Sequence, residues 1–235
     1  MKHLNQFITE YIIKKKLDKP IDSEHNYKYF PKTKSELIHQ IKQLIEQDIY
    51  DFNCIDTSEI TDMSKLFYDS KFKDINIDVS EWNVSNVKNM SHMFYDCMKF
   101  DCDLSNWNVS KVKNMSCMFN RCDLFKGNGL ENWNVSNVKD TSYMFLKCEN
   151  LNCDLSGWNV SKVENMSSMF YGCKNFNCDL SNWNVSNVFD INDMFYDCIK
   201  FNCDLSNWDI SKVYRRVGTF HNCTSLKNKP SWYQE

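Results

Sequence analysis

The stretch CDLSNWNVSKVKNMSCMF occupies residues 102–119, and nearly the same sequence recurs at residues 153–170 and 178–195. Tryptophan marks the period, because it falls at positions 82, 107, 133, 158, 183 and 208, with intervals of 25, 26, 25, 25 and 25 residues. About seven copies cover residues 57–226, and a period in this range is typical of stacked-repeat proteins. The 26-residue step contains Gly127 and Gly129, which absorb one extra residue.

A single repeat is too small to fold by itself. It offers about six large apolar side chains, each contributing on the order of 1.5–3 kcal/mol when buried. Ordering each backbone position costs roughly 1–2 kcal/mol, which outweighs that gain in one isolated unit. The sequence therefore predicts that successive units stack and that stability comes from the interfaces between them.

The apolar pattern changes its period within a repeat. Cys102 and Leu104 alternate with polar residues, which is typical of a short strand. Residues 112–119 then carry apolar side chains at three- and four-residue steps, which is typical of a helical or 3₁₀ segment. Asn108 and its equivalents lie at the bend between them, where the side chain can bond nearby backbone. The prediction is an α/β repeat solenoid of leucine-rich-repeat-like coils, each with one short parallel strand and a helical or 3₁₀ return.

The chain divides into three parts on this interpretation. Residues 1–50 form an N-terminal helical segment and cap, residues 51–226 form the solenoid, and residues 227–235 form a polar tail. Residues 33–48 have one apolar face and a candidate N-cap at Ser35, so they predict an amphipathic helix. Residues 4–12 predict another amphipathic helix, followed by the basic run Lys14–Lys16.

The repeat resembles a known family. The unit N-V-S-x-V-x-N-M-S-x-M-F-x-x-C-x-x-F, preceded by FPKTKSELIHQIKQLIEQ at residues 30–47, is similar to the BspA-like leucine-rich-repeat family. The match covers about residues 30–226. Members of that family occur in bacterial surface proteins, protists and large DNA viruses. The resemblance implies a leucine-rich-repeat-like solenoid used for binding or adhesion.

The 12 cysteines fall mainly into two repeat columns and allow three interpretations. Stacked equivalents could form internal ladders as small apolar residues, bind zinc, or form disulfides between coils. The pairs are spaced C-x₄-C and the five histidines follow no repeat, so the ladder is favoured, with no metal and no cofactor. Cys54 and Cys117 lie off the ladders and are candidate exposed thiols. The repeated tryptophans are expected to be partly exposed, since each indole N–H needs a partner.

An aspartate column gives the candidate binding surface. The alternation with inward-facing apolar residues turns these side chains outward. Stacked carboxylates repel, so we expect local hydrogen bonds, a basic partner or calcium to offset the charge. The predicted acidic binding residues are Asp78, Asp103, Asp154, Asp179 and Asp204.

No catalytic motif occurs: there is no GxGxxG, phosphate-binding glycine loop, HExxH or nucleophile elbow. The predicted function is a non-enzymatic repeat scaffold mediating protein–protein interaction through an extended solenoid face. The alternative is a surface adhesin or virion structural component. The formal charge of −3 gives no bulk attraction to nucleic acid.

The sequence does not fix the location: the cytoplasm is favoured, and a surface or virion location is the alternative. MKHLNQFITEYIIKKKLD does not follow the order of a secretory signal, and no run reaches the roughly 18–20 apolar residues of a membrane span. The expected partner is a protein of unknown identity, with no nucleic acid and no membrane span, and the chain itself is expected to be monomeric.

Overall fold

A computed structural model of the chain describes residues 27–68 and 70–233. These residues form one α-helix, α1 (Lys34–Ile45), and two short 3₁₀ turns, Ser70–Phe72 and Leu130–Asn132. The rest of the described chain consists of turns, bends and irregular backbone. The helix predicted over residues 4–12 and the run Lys14–Lys16 lie outside the described residues.

Two capping hydrogen bonds stabilise the start of helix α1. The hydroxyl of Thr33 accepts a hydrogen bond from the Glu36 backbone N–H at 3.2 Å, and Glu36 Oε2 accepts one from the Lys32 N–H at 2.6 Å. The predicted N-cap, Ser35, was wrong by two positions and lies inside the helix. Leu37, Ile41 and Leu44 are buried along one face of α1 and belong to the main hydrophobic core.

The repeats form coils that lie one above the next. Isolated parallel bridges join equivalent residues of successive coils, running through Asp62, Asn89, Asn114, Asp140, Asn165, Asp190 and Arg215. Between these points the backbone is regularly paired: the N–H groups of Met90 and His92 each donate to a carbonyl of the following coil at 2.9 Å. We call residues 51–226 the coil stack and name each coil by its tryptophan.

The predicted α/β repeat solenoid is wrong. In the described residues, α1 is the one α-helix, and the inter-coil backbone hydrogen bonds produce isolated parallel bridges but no strands, so no sheet forms. A leucine-rich-repeat coil does not fit this backbone. The segment C-D-L-S forms no strand, and apart from Asp78, which bridges Asp51, the bridges of the repeats fall in the segment V-x-N-M-S.

Left-handed residues explain why the return segment is not helical. From His92 onward, each coil has positive φ at two equivalent positions, for example His92 (57°) and Asp96 (62°), or Cys117 (55°) and Arg121 (61°). A left-handed residue interrupts a right-handed helix. The three- and four-residue apolar steps arise instead from successive turns, such as the bond from Met93 N–H to the Met90 carbonyl at 3.2 Å.

Aromatic columns fill the core. Successive phenylalanine rings lie nearly parallel, with centroids 5.6 Å apart for Phe94 and Phe119 and 5.7 Å for Phe119 and Phe145. The expectation of partly exposed tryptophans was wrong, because Trp107 and its equivalents are buried. Each indole N–H donates to a carbonyl of the preceding coil, as Trp107 does to Val79 at 3.0 Å, which satisfies the group without exposing it.

The longer 26-residue step is accommodated by two glycines at positive φ. Gly127 (88°) stands where other coils carry the second cysteine, and Gly129 (89°) precedes the 3₁₀ turn Leu130–Asn132. A Cβ atom on Gly127 would lie 2.5 Å from Cys153 Sγ, and one on Gly129 would lie 2.2 Å from the Ser105 nitrogen. Both positions therefore require glycine for conformation and for space.

The first cysteine column lies in the core as a ladder. All 12 cysteines fall within the described residues and are free thiols there. The thiol of Cys148 donates to the Phe119 carbonyl at 2.9 Å, and that of Cys173 to the Phe145 carbonyl at 3.0 Å. Cys54 and Cys117, the candidate exposed thiols, are half-buried, and burial raises the pKa of Cys117 to about 11.

Candidate binding surfaces

The five predicted aspartates lie on one exposed surface, which we call the acidic stripe: Asp78, Asp103, Asp154, Asp179 and Asp204. In each, Oδ1 accepts the backbone N–H of the serine two residues later, for example from Ser156 to Asp154 at 2.9 Å. This is an Asx turn, which fixes the carboxylate without any partner molecule. Asn128 stands at the equivalent position in the Trp133 coil, so the stripe is interrupted once.

The second cysteine column ties the acidic stripe to the next coil. Cys178 Sγ lies 3.4 Å from Asp154 Oδ1, and Cys203 Sγ lies 3.3 Å from Asp179 Oδ1. Cys178 Sγ also accepts the Leu155 N–H at 3.1 Å. Burial raises the pKa of Cys178 to about 11, so the thiol stays protonated and donates to the carboxylate.

Local hydrogen bonds favour the ionised form of three stripe carboxylates, those of Asp154, Asp179 and Asp204. Hydrogen bonds from Ser156 lower the pKa of Asp154, and those from Ser181 lower the pKa of Asp179. The pKa of Asp204 is lowered in the same way by Ser206. From Asp103 onward, the hydrogen bonds seen in the described chain all reach Oδ1 of these carboxylates. The second oxygen of each is therefore open to another donor.

A second charged surface lies on the segment V-S-x-V-x of the coils, and sequence reasoning did not identify it. We call it the lysine ridge. Its members are all exposed. They are Lys88, Lys111, Lys113, Lys139, Lys162 and Lys212.

Alternate coils hold a ridge lysine in place through a neutral partner. The ammonium group of Lys111 donates to Asn86 Oδ1 of the preceding coil at 2.7 Å. Lys162 and Lys212 make the same contact with an asparagine of the coil before, at 2.8 and 2.7 Å. An amide oxygen orients the lysine but leaves its charge uncompensated.

The remaining ridge lysines differ in their pairing. Lys139 forms an ion pair with Glu164 at 2.8 Å. Across the described residues, the ammonium groups of Lys88 and Lys113 contact no carboxylate. Within the described chain, five of the six ridge lysines thus form no ion pair with a carboxylate, whereas Lys139 pairs with Glu164.

The lysine ridge ends in an aromatic pair. Phe189 and Tyr214 occupy the column that holds Lys88, Lys113 and Lys139 in earlier coils. Their rings stack with centroids 5.6 Å apart and planes within 9°, and Tyr214 is 73% exposed. They border an open groove of about 580 Å³, whose other lining residues are Lys139, Lys162, Glu164, Asn187 and Lys212.

The alternation that marks the lysine ridge is visible in the sequence. The position before the second valine reads Asn86, Lys111, Asn137, Lys162, Asn187 and Lys212, with a period of two coils. A net charge of −3 hides this pattern, because it sums opposite charges that the fold places on different surfaces.

These features define a repeat protein whose 25-residue units stack as irregular coils and display separate acidic and basic columns. Residues 33–129 and 124–233 match the family DUF285, described as "Mycoplasma protein of unknown function, DUF285". The chain belongs to this family. The searches of curated proteins and of solved structures gave no match. Among the described residues there is no helix with the length and apolar character needed to cross a membrane.

Proposed function

We propose that the chain is a non-enzymatic scaffold that binds another protein along the lysine ridge, and that the bound partner offers an acidic segment. The observation that carries this proposal is the set of five ridge lysines that form no ion pair with any carboxylate in the described part of the chain. An array of uncompensated charge on one surface attracts a partner of opposite charge and excludes partners of like charge.

The coil stack supports such a surface because it is already ordered. Lys111, Lys162 and Lys212 are held by asparagines of the preceding coils, so less side-chain freedom is lost on binding. The ridge runs along successive coils, which suits an extended segment crossing them. Phe189 and Tyr214 add a flat apolar surface at one end for an aromatic or aliphatic side chain.

The lysine ridge is a better candidate for this role than the acidic stripe. Each stripe carboxylate already has local donors, so a partner is not required to offset its charge. The stripe as a binding surface stays a prediction, and the triple variant Asp103→Asn, Asp154→Asn, Asp179→Asn tests it. The resemblance to the BspA-like family and the adhesin or virion alternative also stay predictions.

The test is titration of a fluorescent glutamate-rich peptide into the chain. The triple variant Lys111→Gln, Lys162→Gln, Lys212→Gln should weaken binding by about threefold to a hundredfold, since exposed ion pairs each contribute roughly 0.2–1 kcal/mol. Added salt should weaken wild-type binding by screening.

A charge-matched control removes three exposed lysines that lie off the ridge: Lys99→Gln, Lys200→Gln and Lys227→Gln. Lys200 is the closest match, because it also donates to an asparagine of the preceding coil, Asn175, at 2.6 Å. The control should bind the peptide like wild type. Equal losses in the two variants, or no peptide binding by wild type, would contradict the proposal.

A further inference from the structure

We propose that a second copy of this chain is an acidic partner of the lysine ridge, with the acidic stripe of one copy lying along the ridge of another. This inference rests on the proposed function, because it uses the same ridge. It goes further by naming the occupant.

The first argument is spacing. The stripe occupies one position of the repeat and the ridge two nearby positions, so two copies with parallel stacks carry their charges at the same intervals along the stack. Four coils carry both an uncompensated ridge lysine and a stripe aspartate. The facing pairs are Lys88 with Asp78, Lys111 with Asp103, Lys162 with Asp154, and Lys212 with Asp204.

The second argument is that the coil without a stripe aspartate is also the coil whose ridge lysine already has an acidic partner. The stripe lacks a carboxylate in the Trp133 coil, where Asn128 replaces aspartate. The ridge lysine of that same coil is Lys139, the one already paired with Glu164. The uncharged Asn128 of one copy therefore faces Lys139 of the other copy, whose charge is already balanced by Glu164. Asp179 alone faces no lysine, because Asn187 and Phe189 hold the ridge positions in the Trp183 coil.

The third argument is availability. Asp103, Asp154 and Asp204 use Oδ1 for their Asx turns, which leaves the other oxygen for an ammonium group. The pKa of Asp154 and that of Asp204 are lowered by serine hydrogen bonds, so both remain ionised at neutral pH.

The contact joins two different surfaces, so each copy still has one free surface after pairing. Such a heterologous contact continues to further copies unless the geometry closes a ring. Exposed ion pairs are individually weak and are screened by salt. We therefore expect association that rises with protein concentration and disappears at high ionic strength, where the chain is the monomer expected from sequence.

The test is sedimentation velocity with two charge-reversed variants. The ridge variant carries Lys88→Glu, Lys111→Glu, Lys162→Glu and Lys212→Glu. The stripe variant carries Asp78→Lys, Asp103→Lys, Asp154→Lys and Asp204→Lys. Wild type should associate at low salt and dissociate at roughly 1 M salt, where the screening length is about 3 Å. Each variant alone should stay monomeric, and an equimolar mixture should associate again.

The stripe aspartates also hold Asx turns, so their reversal could unfold the chain. Asparagine at the same four positions still offers a side-chain oxygen to the Asx turn but carries no charge. These Asp→Asn changes should lower the association constant by about tenfold or more. Cooperative thermal unfolding verifies that each variant is folded.

A wild-type chain that remains monomeric at low salt and at high concentration would overturn the inference, as would unchanged association in the ridge variant. The glutamate-rich peptide separates the two proposals. If wild type binds the peptide but does not self-associate, the inference alone fails. If it does not bind the peptide, the proposed function fails.

Discussion

The repeating element at the residue scale is the Asx turn. It occurs three times in the Trp107 coil: the N–H groups of the serines two residues later bond Asp103, Asn108 and Asn114 at 2.9, 3.1 and 2.8 Å. The prediction that Asn108 and its equivalents bond nearby backbone is confirmed. These bonds satisfy backbone donors that no regular ladder reaches, which explains how residues 51–226 as described can form an ordered stack almost without helix or sheet.

Because of the Asx turns, the stability of the folded chain should depend on pH in the acid range. The pKa values of Asp154, Asp179 and Asp204 are lowered from 3.8 in the folded chain. Their contribution is fully present above the unfolded pKa and is lost as the pH falls through the folded pKa. We expect the thermal midpoint to fall below about pH 4. Replacing all three residues by asparagine should reduce that fall, and identical pH profiles would contradict this.

Gly129 offers a test of the widened coil. Gly129→Ala should destabilise the chain by about 1–3 kcal/mol, because alanine is strained at a φ of 89° and its Cβ would lie 2.2 Å from the Ser105 nitrogen. Gly157→Ala is the matched control, since a Cβ atom there meets nothing within 4 Å. Urea unfolding measures both. Equal effects at the two glycines would argue against the close approach at Gly129.

At the scale of elements, the sequence predicted the period and the helix but not the backbone of the coil. Apolar columns were readable because each coil contributes the same side chains at the same positions. The sign of φ could not be read from the sequence, because unrelated residue types occupy the first left-handed position of each coil. They include His92, Cys117, Tyr143 and Ser168. At this position only Gly218, in the last coil, signals the left-handed conformation, and at the second left-handed position only Gly172 does. A turn-rich segment was therefore mistaken for a helical one.

Substitutions at the start of helix α1 distinguish the predicted N-cap residue from the observed one. Thr33→Ala removes the oxygen that accepts the Glu36 N–H and should cost about 1 kcal/mol of stability. Ser35→Ala, at the position that the sequence suggested, lies inside α1 and should change stability by less than about 0.5 kcal/mol. Chemical denaturation of the two variants decides between them. A larger loss at Ser35 would show that α1 begins later.

At the scale of the whole molecule, stacking converts local repetition into two charged columns on a common core. The outward orientation of the acidic stripe followed from simple alternation along C-D-L-S. The lysine ridge was missed because its meaning depends on which charges lack a partner, and pairing such as that of Lys139 with Glu164 appears only in three dimensions. Both surfaces depend on the same property, the alignment of equivalent residues in successive coils.

The most direct test of that alignment is an experimental structure in which the phenylalanine column is measured. The six successive ring pairs from Phe67 to Phe220 should have centroid separations between 5.3 and 5.7 Å, inside a closed core. Equivalent rings held out of van der Waals contact, or turned into solvent, would contradict the coil stack, and both charged columns would lose their common spacing.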